Sequence, residues 1–199
     1  MVNKRNLQYL YNDKKLSMME VAERLGVTHA TIYYWLKKYG VKRRSWRDSS
    51  YVKQNPNGDP FKLKKRLNKK EKGLLACALM LYCGEGNRRN KHSIQLANLD
   101  HRILKVFMGF LRKICRVNKD KVSLYVQLYR KFNRSEALEY WSKTLLIPKS
   151  QIGIYPHTDK RSKLEEQRSK FGIARIQFNN YKLKNWIERQ SDYYLKKFS

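Results

Sequence analysis

The stretch that most constrains this chain is Leu74-Leu75-Ala76-Cys77-Ala78-Leu79-Met80-Leu81-Tyr82-Cys83, an unbroken apolar segment in a sequence of which 31% is charged. It falls well short of the roughly 18–20 apolar residues that cross a bilayer. It therefore reads as a helix sheltered by protein, and no membrane span is expected in the chain. The helix ends in Gly84-Glu85-Gly86. A carboxylate at a helix C-terminus opposes the helix dipole, and a sequence shaped by stability alone would carry Lys or Arg there. Such an acid is kept where it gains something, and a bound cation is one partner that fits. The alternative is that Gly84 and Gly86 simply end the helix and Glu85 points to water.

Charge narrows the partner. The 199 residues include 45 Lys and Arg against 16 Asp and Glu, a net charge of +29. A surplus of that size repels itself unless a polyanion neutralises it, so nucleic acid is the expected partner. The surplus is spread: 18 basic against 5 acidic residues in 1–70, and 27 against 11 in 71–199. Two basic surfaces are expected, not one basic tail. A ribosome-associated basic protein is the competing class, but its lysines would gather in a low-complexity run, whereas here they alternate with apolar residues. A hydrophobic content of 41%, with 13% aromatic, argues against disorder. Met1-Val2-Asn3-Lys4-Arg5 has no apolar region after it, so no secretory signal is expected. Cys77, Cys83 and Cys115 lack CxxC spacing and read as buried thiols of an intracellular protein, in cytoplasm or nucleoid. His29, His92, His101 and His157 are scattered without zinc spacing, and there is no Walker loop, so no zinc and no nucleotide cofactor are expected.

Residues 48–68 are polar and rich in breakers (Asn55-Pro56-Asn57-Gly58-Asp59-Pro60) and end in the basic tract Lys62 to Arg66. They read as a basic linker between residues 1–47 and 69–199. In the first region Ser17-Met18-Met19-Glu20 is a capping box. The helix it opens stops at Gly26, and Thr28 caps a second helix carrying Ile32 and Leu36. Ala22, Gly26 and Ile32 stand at offsets of four and ten, a spacing that resembles the helix-turn-helix. That resemblance implies duplex DNA as partner and places Thr28, His29, Thr31, Tyr33, Tyr34 and Lys37 toward the groove. Lys42, Arg43 and Arg44 follow and would contact phosphates or a minor groove. The competing reading makes Tyr33, Tyr34 and Trp35 core of a small helical bundle.

The second region mixes periods. Ser93–Asn98, Val122–Tyr129 and Gly172–Phe178 alternate as strands; the stretches after Asp100, Ser135–Leu145 and Tyr181–Phe198 have helical spacing. Alternation places Ile94, Leu96, Val122, Leu124, Val126, Leu128, Ile176 and Phe178 under the helices. Gln95, Ser123, Tyr125, Gln127, Tyr129, Arg175 and Gln177 fall on the other face. Gln and Arg pair with adenine and guanine edges, and the face carries no acid; an ordinary wet sheet face is the alternative. Gly153-Ile154-Tyr155 matches half of a GIY-YIG nuclease motif, but no partner half exists, so chance explains it.

The apolar helix ending Gly84-Glu85-Gly86, followed by the basic turn Asn87-Arg88-Arg89-Asn90-Lys91 and then strands and helices, resembles the LAGLIDADG homing endonucleases. Gly84-Glu85-Gly86 falls on the motif's final Ala-Asp-Gly. Cys83 stands where the family often has an earlier acid, and Met80 where it favours glycine. The resemblance implies an α+β protein: a small all-α helix-turn-helix domain, then an αββαββα domain with an antiparallel DNA-binding sheet and the helix 135–145 inserted. It implies that the motif helix pairs with a second copy, so a homodimer on a near-palindromic site. It implies that Glu85, with Gly84 beside it, holds Mg²⁺ or another divalent cation. Lys91 and Arg175 are then candidates to stabilise charge on the phosphate, and Arg88 and Arg89 to contact DNA. The function so implied is a Mg-dependent DNA endonuclease. A regulator that binds without cutting is the alternative, favoured by Met80 and the missing second acid.

Overall fold

Polar side chains punctuate the start of the chain. Asn3 accepts from the N–H groups of Arg5 and Asn6 and opens α1 (Lys4–Gln8), which runs into a single π-helical turn, Tyr9–Asp13. The expected capping box is present at the start of α2 (Met18–Leu25): Glu20 N donates to Ser17 Oγ at 3.2 Å and Ser17 N to Glu20 Oε2 at 2.7 Å. Gly26 ends α2 with φ +63°, a backbone that costs a residue without Cβ nothing. Thr28 accepts from Thr31 N and opens α3 (His29–Lys38). Val21, Ala22, Ile32 and Leu36 meet Leu7, Leu10 and Tyr11 in one small core.

The expected linker is largely structured, and its boundaries need correction. Ser45 caps a further helix, α4 (Trp46–Gln54). Tyr51 is buried on it, and its hydroxyl donates to Asp59 at 2.9 Å. A polar helix anchored by one aromatic residue has loop-like composition, which is why its sequence reads as linker. From Pro60 the chain belongs elsewhere: Lys62 and Lys64 donate their N–H groups to Cys115 and Ile114 carbonyls at 2.9 Å, and Phe61, Leu63 and Leu67 pack on a second core. The computed structural model describes residues 2–156 and 170–199, in two units, Met1–Asp59 and Pro60–Ser199. His157 lies outside the described residues.

In the second unit Asn68 and Glu71 form another capping box and open α5 (Lys69–Glu85). Then follow β1 (Ser93–Asn98), α6 (His101–Lys113, capped by Asp100), β2 (Val122–Leu128), α7 (Arg134–Leu145), β3 (Ile152–Pro156), β4 (Ile173–Asn179) and α8 (Tyr181–Phe198). The strands order as β1-β4-β2-β3. β4 pairs antiparallel with β1 and β2, but β3 runs parallel to β2. The sheet is therefore mixed, not antiparallel, and the described elements run αβαβαββα, not αββαββα. The physical reason is α7: a helical crossover returns the chain in the same direction, so the next strand pairs parallel. β3 escapes a reading by alternation because it is short, carries Gly153 and Pro156, and sits at the edge. Ahead of β1, Gly86 forms an isolated antiparallel bridge with Leu96, and Asn87 N donates to Gln95 O at 2.9 Å.

The inward residues are those that alternation selects. Ile94, Leu96, Val122, Leu124, Val126, Ile176 and Phe178 are buried with Leu79 and Tyr82 of α5, Phe107 and Phe110 of α6, Trp141 of α7 and Ile187 of α8. Each such side chain contributes roughly 1.5–3 kcal/mol, so one sheet face is held rigidly from behind while the other is left open. Among the described residues no helix is long and apolar enough to cross a membrane.

Candidate nucleic-acid and metal-binding surfaces

On α3 the Thr28 hydroxyl caps the helix: it accepts from Thr31 N at 3.2 Å and lies 2.9 Å from Thr31 Oγ1. His29, Tyr33, Tyr34 and Lys37 are exposed, and Thr31 is half-buried. Tyr33 and Tyr34 are thus not core. Trp35 is: it packs on the first unit's core and stacks on Tyr39 at 5.0 Å. Lys42 is exposed, and the Arg43 guanidinium lies 5.3 Å from the Tyr33 ring. Arg44 has a different role from the one its position suggests. Its Nη1 donates to Lys15 O at 2.8 Å, its Nη2 to Leu16 O, and its guanidinium lies 4.3 Å from the Tyr11 ring. It clamps the loop before α2 and leaves its terminal donors little to offer DNA.

In the second unit, strand register brings distant residues into rows. Ala97, Arg175, Tyr125 and Gly153 form one row; Gln95, Gln177 and Ser123 form the next. Tyr125, Gln127, Tyr155, Arg175 and Gln177 line a cleft of about 450 Å³ on this open face. An amide chain crosses it: Asn87 Nδ2 donates to Gln95 Oε1 at 3.1 Å, Gln95 Nε2 to Gln177 Oε1 at 3.0 Å, and Gln177 Nε2 to Asn179 Oδ1 at 3.0 Å. Gln95 is consequently buried and fixes Gln177 from beneath, so it is not itself a contact residue. Tyr129 lies beyond the end of β2 and is buried, not on the open face. The Arg175 guanidinium stands 5.1 Å from the Tyr125 ring, and its buried Nε has no hydrogen-bond partner among the described residues.

Glu85 is the last residue of α5, exposed beside exposed Gly84. Among the described residues its carboxylate makes no hydrogen bond or ion pair, neither with Lys91 nor with Arg175. The turn behind it is rigid. A Cβ on Gly86 would collide with the Tyr82 carbonyl and ring, so only glycine lets the chain turn there. Lys184 of α8 is fully buried: its Nζ donates to Tyr82 Oη at 2.7 Å and Asn87 O at 2.8 Å and pairs with Glu188 at 3.0 Å. Burial pushes the Tyr82 phenol above its ordinary range, partly offset by Lys184. Asn87 Oδ1 accepts from Arg89 N and Asn90 N, which fixes the basic turn. Arg88 pairs with Asp192 at 3.1 Å, while Arg89 and Lys91 are exposed. Sequence reasoning missed Lys184, although it shares inward helical spacing with Ile187 and Ser191, where a lysine is out of place.

A hard divalent cation takes oxygen donors, and Glu85 is an exposed, uncommitted one. Among the described residues no three His, Cys, Asp or Glu side chains cluster around it or elsewhere. One face of α5 is also uncovered. Gly73, Cys77, Met80 and Gly84 are exposed at successive helical turns, opposite buried Leu75, Ala78, Leu79 and Tyr82. Added Cβ atoms at Gly73 or Gly84 would meet nothing within 4 Å. No family model, curated protein or solved structure matches the chain.

Proposed function

We propose that this protein binds double-stranded DNA sequence-specifically and acts as a homodimeric, Mg-dependent endonuclease of the LAGLIDADG type, with a helix-turn-helix module ahead of the catalytic unit. The observation that carries the reading is the unpaired, solvent-facing Glu85 at the end of an apolar helix whose free stripe is made of small and flexible residues. α3 reads base edges through His29, Thr31 and Lys37; Lys42 and Arg43 hold phosphates. The open sheet face takes a second stretch of duplex on Gln127, Arg175 and Gln177. Two copies paired along Gly73, Cys77, Met80 and Gly84 about a two-fold axis match a near-palindromic site. Glu85 from each copy would hold the metal, with Gly84 leaving room beside it. Mg²⁺, when bound, would supply Lewis acidity and a water of lowered pKa. Lys91 and Arg175 offer positive charge to the phosphate. With on the order of ten phosphate contacts, affinity falls steeply with salt.

The test is Glu85→Gln on a site selected from a random duplex library: binding stays and Mg-dependent cleavage disappears. Undiminished cleavage ends the catalytic assignment. A short bis-maleimide should crosslink two copies through Cys77, and Cys77→Ser should abolish that product. The second reading, a regulator that binds without cutting, is favoured by Met80, which keeps the α5 stripe wider than a glycine would. Binding with no cleavage in Mg²⁺ or in EDTA selects it.

A further inference from the structure

A cleft of about 610 Å³ opens in the first unit beside α4. Trp46 stands at its rim with 86% of its surface exposed. Lys14, Lys15 and Lys53 line it, all exposed, with the hydroxyls of Ser49 and Ser50. Its one acid, Glu20, is committed: the Ser17 N–H and hydroxyl hold the carboxylate below its usual range. Lys15 has φ +57°, a left-handed backbone in which glycine or asparagine sits more easily. Arg44 holds it there through the Lys15 carbonyl. Backbone of this kind persists where its surroundings enforce it, and it gathers at ligand sites. A π-helical turn ends at the same rim, another local feature common at functional sites.

We propose that this cleft is a second nucleic-acid site, which takes an unpaired nucleotide: its base lies against the Trp46 indole and its phosphate among Lys14, Lys15 and Lys53. Lysines alone would serve a duplex backbone, because a duplex hides its ring faces in the stack. A free indole adds nothing to phosphate binding, but it stacks any unpaired base. No residue of α3 lines the cleft, so the site does not depend on duplex recognition by that helix, and its test stands if that recognition fails. A strand of DNA opened near the target and a single-stranded RNA share this chemistry.

The experiment uses the full chain and fluorescently labelled dT10 and rU10, with a random duplex and tripolyphosphate as competitors. Trp46→Ala should lower oligonucleotide affinity about 5- to 150-fold, and Trp46→Phe should restore most of it. Lys14→Ala with Lys15→Ala should flatten the salt dependence, by about 0.7 in log–log slope for each phosphate no longer neutralised. Preference for dT10 or rU10 names the strand; equal binding assigns the site to the base and phosphate alone. The exposed indole carries no packing, so the variant should melt with the wild type. Should it not, a 5-iodouridine oligonucleotide photocrosslinked to the wild-type chain must map to Trp46. The proposal is overturned if Trp46→Ala binds dT10 and rU10 as wild type does, if it weakens duplex binding equally, or if the crosslink maps elsewhere.

Discussion

The two polar surfaces are built in opposite ways. The α3 surface comes from one short helix, capped by its own neighbours, and its outward side chains are loosely held: Lys37 and Tyr33 are exposed, with the Arg43 guanidinium 5.3 Å from the Tyr33 ring. The sheet face comes from strands as far apart as Gln95 and Gln177, and its amides already bond to one another from Asn87 to Asn179. The first surface can adapt its side chains to a groove. The second would meet a partner with rotamers already fixed, so less freedom would be lost on binding. Substitutions on the first should change binding alone, whereas those on the second, and on what braces it, should change stability as well.

The strongest test of that contrast is Lys184. It is buried, ties α8 to Tyr82 and to the turn after Glu85, and faces Glu188. Emptying the space of a long buried side chain costs about 2–5 kcal/mol, and Glu188, itself half-buried, loses its partner. Lys184→Ala should lower the unfolding free energy in urea by that much and loosen the turn that carries the acid. Lys184→Met, which refills the volume, should recover part of it. If Lys184→Ala unfolds with wild-type stability, the brace is not what holds the site.

Arg44 comes next and crosses the contrast, because it lies in the first unit, close after α3, but behaves structurally. Hydrogen bonds from a charged donor are worth about 1.5–3 kcal/mol. Arg44→Ala should therefore destabilise by about 2–3 kcal/mol, because its grip on Lys15 and Leu16 is gone. Its neighbour Arg43 makes no such bond among the described residues, and Arg43→Ala should leave stability unchanged. It should reduce the log–log salt slope of duplex binding by about one unit. Reversed outcomes for the two variants would return Arg44 to the proposed DNA surface.

Local chemistry was legible in the sequence; long-range pairing was not. The Ser17–Glu20 box, the Gly26 stop and the Thr28 cap announce themselves within four residues, and the structure has them at those positions. Period-two alternation also sorted the inner and outer faces of β1, β2 and β4. It could not tell that Tyr129 lies past the strand end, nor that Gln95 would be covered once it paired with Gln177. Strand direction is decided by what the chain does between strands, so the parallel β3 followed from α7 and not from its own residues. Arg44 deceived for the same reason: it sits in a basic triplet, and only the folded loop beside it shows which carbonyls it grips.

The smallest expected effect concerns acid. In the second unit Lys149 and Lys143 hold the Glu139 carboxylate down at about 2 from an ordinary 4.5, and Arg102 holds Asp100 at about 2 from 3.8. Both folded values lie below the unfolded ones. The stability they contribute is thus present above about pH 4.5 and is lost as pH falls toward 2. Both carboxylates are half-exposed and their lysine and arginine partners exposed, and such surface pairs are worth little and are screened by salt. The expected result is a shallow fall in the thermal midpoint, confined to that window, steeper at low salt than at high salt. Glu139→Gln should flatten it at low salt and leave the midpoint at neutral pH nearly unchanged. In the first unit Glu20 is also held down, but by the Ser17 N–H and hydroxyl before any charge. Its share of the acid response should persist at high salt, because hydrogen bonds are not screened as ion pairs are. A Glu20→Gln variant that left the high-salt acid response of the first unit unchanged would erase this difference between the units.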